Sequence, residues 1–347
     1  MDDYFYRLID GRQRGLSAAL LRAALRIVSV PYSWATRLRN WLYDRGWKRV
    51  HQAAVPVVSV GNLTLGGTGK TPCVEYVAEF YRRLELLVAI LSRGYGAEQG
   101  QNDEALVLEK NLPDVPHYQG PDRVALAAAA VEQSESEVLV LDDGFQHRRL
   151  ARNLDIVLID ATVPWGHGYL FPRGLLRESP RGLARAGAVV LTRCDQVDPA
   201  TLARLRDEVA RLAPGIPLAE TSHRPVEWVN AEGTTAPLES ILQQPLVAFC
   251  GIGNPEAFRR TLTALGATIG AFRAYPDHHA YARTDVEDLR SWARQQATEG
   301  VVVTTQKDLV KLPLTRLGQR DLWALRIRLH FLAGQELLDR RLKEALG

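Results

Sequence analysis

The run Gly66-Gly67-Thr68-Gly69-Lys70-Thr71 has the clearest chemical capacity of any stretch in this sequence. Glycines let backbone N–H groups turn inward and approach phosphate oxygens closely. A lysine in the place of Lys70 reaches β- and γ-phosphates, and a hydroxyl in the place of Thr71 ligates Mg²⁺. The strict pattern GxxxxGK[ST] asks for glycine at position 64, where Thr64 stands. The flanks supply the required context. Residues 55–60 are a β-branched strand pattern, and Val74, Val77, Ala78, Tyr81 and Leu84 follow at helical spacing. Strand, glycine-rich loop and helix in this order bind a nucleoside triphosphate.

An apolar strand at residues 138–141 ends in Asp142-Asp143 and can deliver a carboxylate to the Mg²⁺ shell, as a Walker B element does. Leu191-Thr192-Arg193-Cys194-Asp195 is faintly similar to the guanine-reading [NT]KxD, but Phe145 stands where a DxxG glycine would follow Asp142. Gly251-Ile252-Gly253-Asn254 has Glu256 in place of a third glycine and reads as a tight strand–helix turn. Asp277-His278-His279 is open to two readings, a metal ligand or a hydrogen-bonded loop histidine. Asn102-Asp103-Glu104 opens a helical stretch as a cap with first-turn acids would. Arg173, Arg177, Arg181 and Arg185, with Glu178 among them, are either a solvated basic face or bidentate phosphate ligands.

The elements that must position these residues follow from hydrophobic pattern. Buried-strand candidates at residues 55–60, 86–91, 137–141, 155–159 and 188–191 alternate with helical stretches such as 122–132 and 199–212. That alternation predicts a parallel sheet covered on both faces. After Pro214 the pattern resets, and strands at 246–250, 267–272, 300–305 and 322–327, closed by a helix at 335–345, predict a smaller α/β unit. Turn residues near 218–235 mark the change. The expected division is 1–50, 51–220 and 221–347. A chain of 347 residues is long enough for about two domains and needs no covalent staple. Cys73, Cys194 and Cys250 lie far apart with no CxxC spacing, which excludes a disulfide framework or zinc cluster and fits a reducing compartment.

The net charge of +3 is unevenly distributed: residues 1–50 carry ten Arg or Lys against four Asp. Such a basic end on a mildly acidic body points to an anionic surface as partner. Residues 13–30 form an amphipathic helix pattern with Leu16, Leu20, Ala23 and Ile27 on one face and Arg22 and Arg26 opposite. The arginines interrupt any run long enough to span a bilayer. The acidic opening and missing AxA site exclude a signal peptide. Pro31 is expected to end the helix, and Tyr32, Trp34, Trp41, Tyr43 and Trp47 follow among more arginines. This makeup suits a helix lying in a membrane interface. The other reading is an ordinary helix packed on the body.

Together, the residues from Val60-Gly61-Asn62 through Thr71-Pro72, Ser92-Arg93-Gly94-Tyr95-Gly96, Asn102-Asp103-Glu104-Ala105, Asp142-Asp143-Gly144-Phe145-Gln146-His147, Arg177-Glu178, Asp277-His278 and Thr305-Gln306-Lys307-Asp308 resemble, in order, the tetraacyldisaccharide 4'-kinase (lipid A 4'-kinase) family. Two positions depart from the family pattern: Asn102 stands for its glycine and Gln306 for its glutamate. The resemblance implies a P-loop NTPase-like core, a smaller α/β domain joined by a two-stranded linker, and an N-terminal membrane-interface helix. It implies ATP- and Mg²⁺-dependent phosphorylation of the 4'-hydroxyl of an acylated disaccharide 1-phosphate, forming lipid IVA, at the cytoplasmic face of the inner membrane of Gram-negative bacteria. Neither a nucleic acid nor an obligate protein partner is expected. By position, Asp103 would accept the hydroxyl proton with His278 paired to it. Lys70 and Thr71 would handle phosphates and metal within the Gly66-to-Thr71 loop, and Asp142, Asp143 and Glu178 would supply Mg²⁺-side carboxylates. Arg123 and Arg177 would contact anions. Because His278 falls in the predicted second domain, domain closure is expected to assemble the pair. The competing reading is a membrane-associated P-loop ATPase or GTPase switch with no lipid acceptor.

Overall fold

The computed structural model describes residues 3–94, 103–296 and 300–347. Tyr95, Gly96 and Asn102, singled out above, lie outside the described residues. Two N-terminal helices, α1 (Asp3–Ile9) and α2 (Leu16–Asp44), precede β1 (Val57–Asn62), α3 (Lys70–Arg82) and β2 (Val88–Ser92). Then come α4 (Asp103–Asn111), β3 (His117–Gln119), α5 (Arg123–Ser134), β4 (Val138–Asp142), β5 (Leu154–Asp160), β6 (Ala188–Thr192) and α6 (Pro199–Leu212). The long strand β7 (Leu218–Val229) leads to β8 (Thr235–Ala236), α7 (Leu238–Leu242), β9 (Leu246–Cys250), α8 (Pro255–Ala264) and β10 (Ile269–Ala274). The chain finishes with α9 (Arg283–Gln295), β11 (Val301–Thr305), α10 (Gln306–Leu309), β12 (Arg316–Leu317), β13 (Arg320–Ala333) and α11 (Gln335–Glu344).

Contacts divide the chain into two units. The first comprises Met1–Arg93, Asp114–His223 and Leu329–Gly347, and the second Gly94–Pro113 and Arg224–Arg328. Strands β7 and β13 are shared, each running from one unit into the other.

In the first unit the strand order is β7-β6-β5-β1-β4-β2-β3, with parallel pairing throughout. This is the α/β architecture that the continuous apolar strands predict. β1, β2, β4 and β6 are buried along their whole length, because helices cover both faces. One apolar layer gathers Leu63, Phe145, Val157, Val189, Leu191, Leu205 and Val209, and the other Val57, Ala89, Leu91, Ala127, Ala130, Leu139 and Leu141. In the second unit the order is β10-β9-β11-β13, again parallel. Here the period of two is visible in one strand. Leu246, Ala248 and Cys250 join Phe258 and Leu262, while Val247 and Phe249 join Leu289 and Leu309 on the opposite side. All three cysteines are free and buried.

The N-terminal helix corrects one expectation. α2 does not stop at Pro31 but continues for 29 residues in all, with the proline inside it. Proline removes one backbone donor, and the second half of the helix is held independently of that turn. Tyr32 donates to the Arg177 carbonyl at 2.9 Å, Asn40 donates to Glu178 at 2.9 Å, and Arg148 donates to the Asn40 carbonyl at 3.0 Å. Ala18 and Ser29 are the buried positions, while Leu16, Leu20, Ile27, Val28, Val30, Trp34 and Leu38 are exposed. Among the described residues no helix is long and apolar enough to cross a membrane.

Gly61, near the end of β1, shows how tightly the site strands are joined. A Cβ there would lie 2.7 Å from both the backbone N and the Cβ of Phe145, in the turn after β4. Gly61→Ala is therefore expected to displace the Asp142-to-Phe145 turn and lower stability by about 1–3 kcal/mol. Urea unfolding should show a lower midpoint with an unchanged slope. An unaltered midpoint would contradict this packing.

Candidate active site

The phosphate loop begins where β1 ends. Gly66 (φ +101°) and Gly69 (φ +86°) adopt left-handed conformations, and Gly69 caps α3 so that Lys70 and Thr71 occupy its first turn. The helix N-terminus thus adds its partial positive charge to the loop. Nothing lies within 4 Å of a Cβ built on Gly66 or Gly67, leaving that side of the loop open to a phosphate chain. The outer side is braced by side chains. Asn62 donates to the Thr68 hydroxyl (2.9 Å), Thr192 donates to the Thr68 carbonyl (2.9 Å), and Arg193 donates to the Gly67 carbonyl (2.8 Å) while pairing with Asp160. The Thr192-Arg193 segment therefore supports the loop. A Cβ on Gly69 would fall 2.3 Å from His223 Nε2, so the imidazole packs directly on the loop backbone. Burial, reinforced by the Arg193 charge, pushes the His223 pKa down to about 4 and keeps that ring neutral.

Acidic residues expected at the metal side take distinct positions. Val60 of β1 pairs in register with Asp142 at the buried end of β4, which sets that carboxylate beside the strand feeding the loop. Asp143 has φ +52°, an uncommon conformation that aspartate tolerates better than most residues. It accepts from Arg177 Nη1 at 2.7 and 2.8 Å and lies 3.6 Å from Lys70 Nζ. Burial alone would raise the Asp143 pKa, but the charges of Lys70, Arg177 and Arg123 outweigh it and hold the carboxyl below its ordinary value. Arg123 itself is buried at the start of α5. Glu178 is almost wholly buried, and its two oxygens accept from Arg185 (2.8 and 3.0 Å), Asn40 (2.9 Å) and Gln146 (3.1 Å). All of these residues belong to the first unit.

Asp103 and His278 both belong to the second unit, although 175 positions separate them. His278 Nδ1 lies 3.0 and 3.1 Å from the two Asp103 oxygens. This corrects the expectation that closure of two domains assembles the pair. α4, which carries Asp103 in its first turn, packs within the second unit through Lys307–Glu104 (2.6 Å) and Gln306–Asn111 (3.0 Å). His278 also has a left-handed backbone (φ +57°), and its N–H donates to the Gly251 carbonyl at 3.2 Å. The 251–254 segment is the strand–helix turn expected of it, with Asn254 capping α8.

The charge state of the pair follows from its surroundings. Burial would raise the Asp103 pKa, yet the His278 hydrogen bond and the charges of Lys307 and Lys311 bring it down to about 2. An ionised carboxylate only accepts, so Nδ1 carries the shared proton, and in the neutral ring Nε2, 3.9 Å from an Asp277 oxygen, keeps its lone pair. The hydrogen bond to Asp103 in turn raises the His278 pKa above its ordinary value, against the effect of its own burial. The Asp103 side chain is 6% exposed and that of His278 59%. Sequence reasoning singled out Thr305-to-Asp308 but missed Lys311, His223 and the bracing role of Thr192 and Arg193, because none carries a motif of its own.

Comparison with known proteins points to one family. Residues 21–347 match the family described as Tetraacyldisaccharide-1-P 4'-kinase. The tetraacyldisaccharide 4'-kinase of Anaeromyxobacter dehalogenans (strain 2CP-C) is 40% identical over 94% of this chain and 91% of its own length. That of Syntrophus aciditrophicus (strain SB) is 39% identical over 85% of each. The crystal structure of the "apo" form of LpxK from Aquifex aeolicus in complex with ATP aligns with a TM-score of 0.78 at 30% identity, covering 94% of this chain and all of that one. The chain belongs to the tetraacyldisaccharide-1-P 4'-kinase family.

Proposed function

We propose that this kinase transfers the γ-phosphoryl group of ATP to the 4'-hydroxyl of a tetraacyldisaccharide 1-phosphate, giving lipid IVA. The observation that carries the reading is the Asp103–His278 pair, since a nucleotide switch without an acceptor has no use for a proton acceptor of this kind. The rival switch reading also leaves the family match unexplained.

The open face of the Gly66-to-Thr71 loop fits a triphosphate, with backbone N–H groups and Lys70 around the β- and γ-phosphates. Mg²⁺ is commonly bound through one or two protein oxygens together with phosphates and water. Thr71, in the first turn of α3, and Asp142, in register with Val60 at the end of β4, fit that donor set; Asp143 is engaged by Arg177 and Lys70, and Glu178 by Arg185, Asn40 and Gln146. When bound, the ion supplies charge neutralisation at the transferring phosphoryl group. Arg177 and Arg123 add positive charge at the same side and fit the role of anion contacts.

At the acceptor side the geometry favours His278 over Asp103 as the group that takes the hydroxyl proton. A carboxylate with a pKa of about 2 is a weak base, and it is buried. An imidazole whose pKa is raised above its ordinary value is the stronger base of the two, and in the neutral ring its Nε2 lone pair is available. Asp103 then orients the ring and stabilises the imidazolium that forms, as the carboxylate of a Ser-His-Asp triad does.

The exposed apolar side of α2, flanked by basic and aromatic residues, supports peripheral attachment to an anionic inner-membrane surface facing the cytoplasm. The acylated substrate would then be met at that surface.

Transfer of label from γ-³²P-ATP to the disaccharide lipid in detergent micelles tests the activity. Lys70→Ala is expected to lose at least about 100-fold in rate and His278→Gln about 10²–10⁴-fold. ATP consumption with no labelled lipid would sink the reading. In wild type, kcat/KM should fall as pH drops through a value above that of free histidine, where His278 becomes protonated. Asp103→Asn removes the stabilising charge, so this acidic limb should move to lower pH while the maximum rate drops by at least about tenfold. An unmoved limb in Asp103→Asn would count against His278 as the acceptor. For the membrane reading, the protein should float with phosphatidylglycerol-containing vesicles. A variant combining Leu20→Glu and Ile27→Glu should not, and flotation equal to wild type would refute the role given to α2.

A further inference from the structure

We propose that Lys311 is a positioning residue of the proton-accepting pair: lodged between Asp103 and Asp308, it limits how much of the Asp103 charge is available to His278. Its Nζ lies 3.5 Å from Asp103 Oδ2, 3.5 Å from Asp308 Oδ1 and 5.5 Å from the centre of the Tyr281 ring. That nitrogen is shielded from solvent and makes no hydrogen bond among the described residues, so it acts through its charge. A buried ammonium is tolerated only when it is paired, and both carboxylates are themselves fixed.

Asp308 is fully buried and accepts from the Thr305 hydroxyl (2.6 Å), the Tyr281 hydroxyl (3.0 Å) and the Gly251 N–H (3.0 Å). Gly251 in turn accepts the His278 N–H through its carbonyl. One buried carboxylate therefore anchors Lys311 on one side and, through Gly251, the backbone of His278 on the other. Asp103 receives His278 and Lys311 on the same oxygen, Oδ2, at 3.0 and 3.5 Å. His278 and Lys311 therefore share one carboxylate oxygen.

The titratable groups around His278 come from four places. α4 brings Asp103 and Glu104, the histidine's own turn brings Asp277 and His279, and the segment into α9 brings Tyr281 and Asp285. α10 and the residue group after it bring Lys307, Asp308 and Lys311. Lys307 pairs with Glu104 and its charge also lowers the pKa of both Asp103 and His278, whereas Lys311 is the lysine that reaches the Asp103 carboxylate itself, at 3.5 Å. With Lys311 absent, Asp103 would favour the imidazolium more strongly, and less of His278 would be free base at neutral pH. Lys311 is thus the counterweight that keeps an aspartate-paired histidine usable as a base.

This inference rests on His278 being the proton acceptor, and the test separates the two claims. The His278 imidazole would be titrated by NMR in isotope-labelled full-length protein, in wild type, Lys311→Met and Lys311→Arg, alongside pH profiles of lipid phosphorylation. The Met variant should titrate at least about half a pH unit higher, the Arg variant should stay near wild type, and the acidic limb of kcat/KM should move with the imidazole. Lys311→Gln serves where the Met variant does not fold. An imidazole that titrates as in wild type without the lysine charge overturns the role of Lys311, even with His278→Gln confirming the acceptor. An imidazole that shifts while the rate profile stays in place overturns the acceptor assignment, and the catalytic role of Lys311 with it.

Discussion

A carboxylate that is nearly removed from water must be compensated or become neutral, and the second unit is arranged around that demand at Asp103. Its compensation comes from the hydrogen-bonded His278 imidazole, from the charge of Lys307 and from an ammonium 3.5 Å away, that of Lys311. The ammonium needs a second carboxylate, Asp308, which needs its own donors from Thr305, Tyr281 and the Gly251 turn. Each step draws in another element until β9, α4, β11 and α10 are all committed to one proton-transfer group. The left-handed backbone of His278 is held within this network. Local strain of this kind persists where the surroundings over-determine it.

The first unit meets a related demand with the opposite solution. Its loop must welcome a polyanion, so positive groups are concentrated there: the α3 N-terminus, Lys70, Arg177 and Arg123. Asp143 balances two of them directly and keeps Lys70 from resting unpaired at a site where its side chain is largely buried. The loop itself gains rigidity from outside, through Asn62, Thr192, Arg193 and the neutral ring of His223. Preorganised dipoles and charges of this sort are worth most where water is excluded.

What could be read from sequence followed the physics of burial. Strands covered on both faces announce themselves as apolar runs, and β9 and β6 were legible to within a residue. The phosphate loop and Asp142 were legible because their chemistry demands residue types at fixed spacing. Pro31 misled: it sits inside α2, where tertiary contacts carry the helix past a residue that usually breaks it. The stretch read as turn residues near 218–235 holds the strand β7, with Pro225 inside it. β7 was further obscured because its second half alternates between half-buried and exposed positions after the buried stretch at 219–222. The placement of α4 with the second unit was beyond sequence patterning altogether. It depends on Lys307–Glu104 and Gln306–Asn111, pairs separated by 203 and 195 positions. The same hydrogen bond gives Gln306 a structural task that the motif alone did not disclose.

The Arg177-Glu178 dipeptide explains why the N-terminal helix is more than an appendage. The Arg177 side chain holds Asp143 while its carbonyl receives Tyr32 from α2. The Glu178 carboxylate receives Asn40 from α2 together with Arg185 and Gln146, and Gln146 also donates to the Asn62 carbonyl at the end of β1. Two adjacent residues thus bond the helix with one set of atoms and the phosphate site with another. Truncating α2 would leave a nearly fully buried glutamate short of a donor beside the residues that shape the loop, and unsatisfied buried charge is costly. The exposed apolar face of α2 can therefore be given over to an outside surface, because the opposite side of the same helix is already tied, through Tyr32 and Asn40, to the Arg177-Glu178 pair of the first unit.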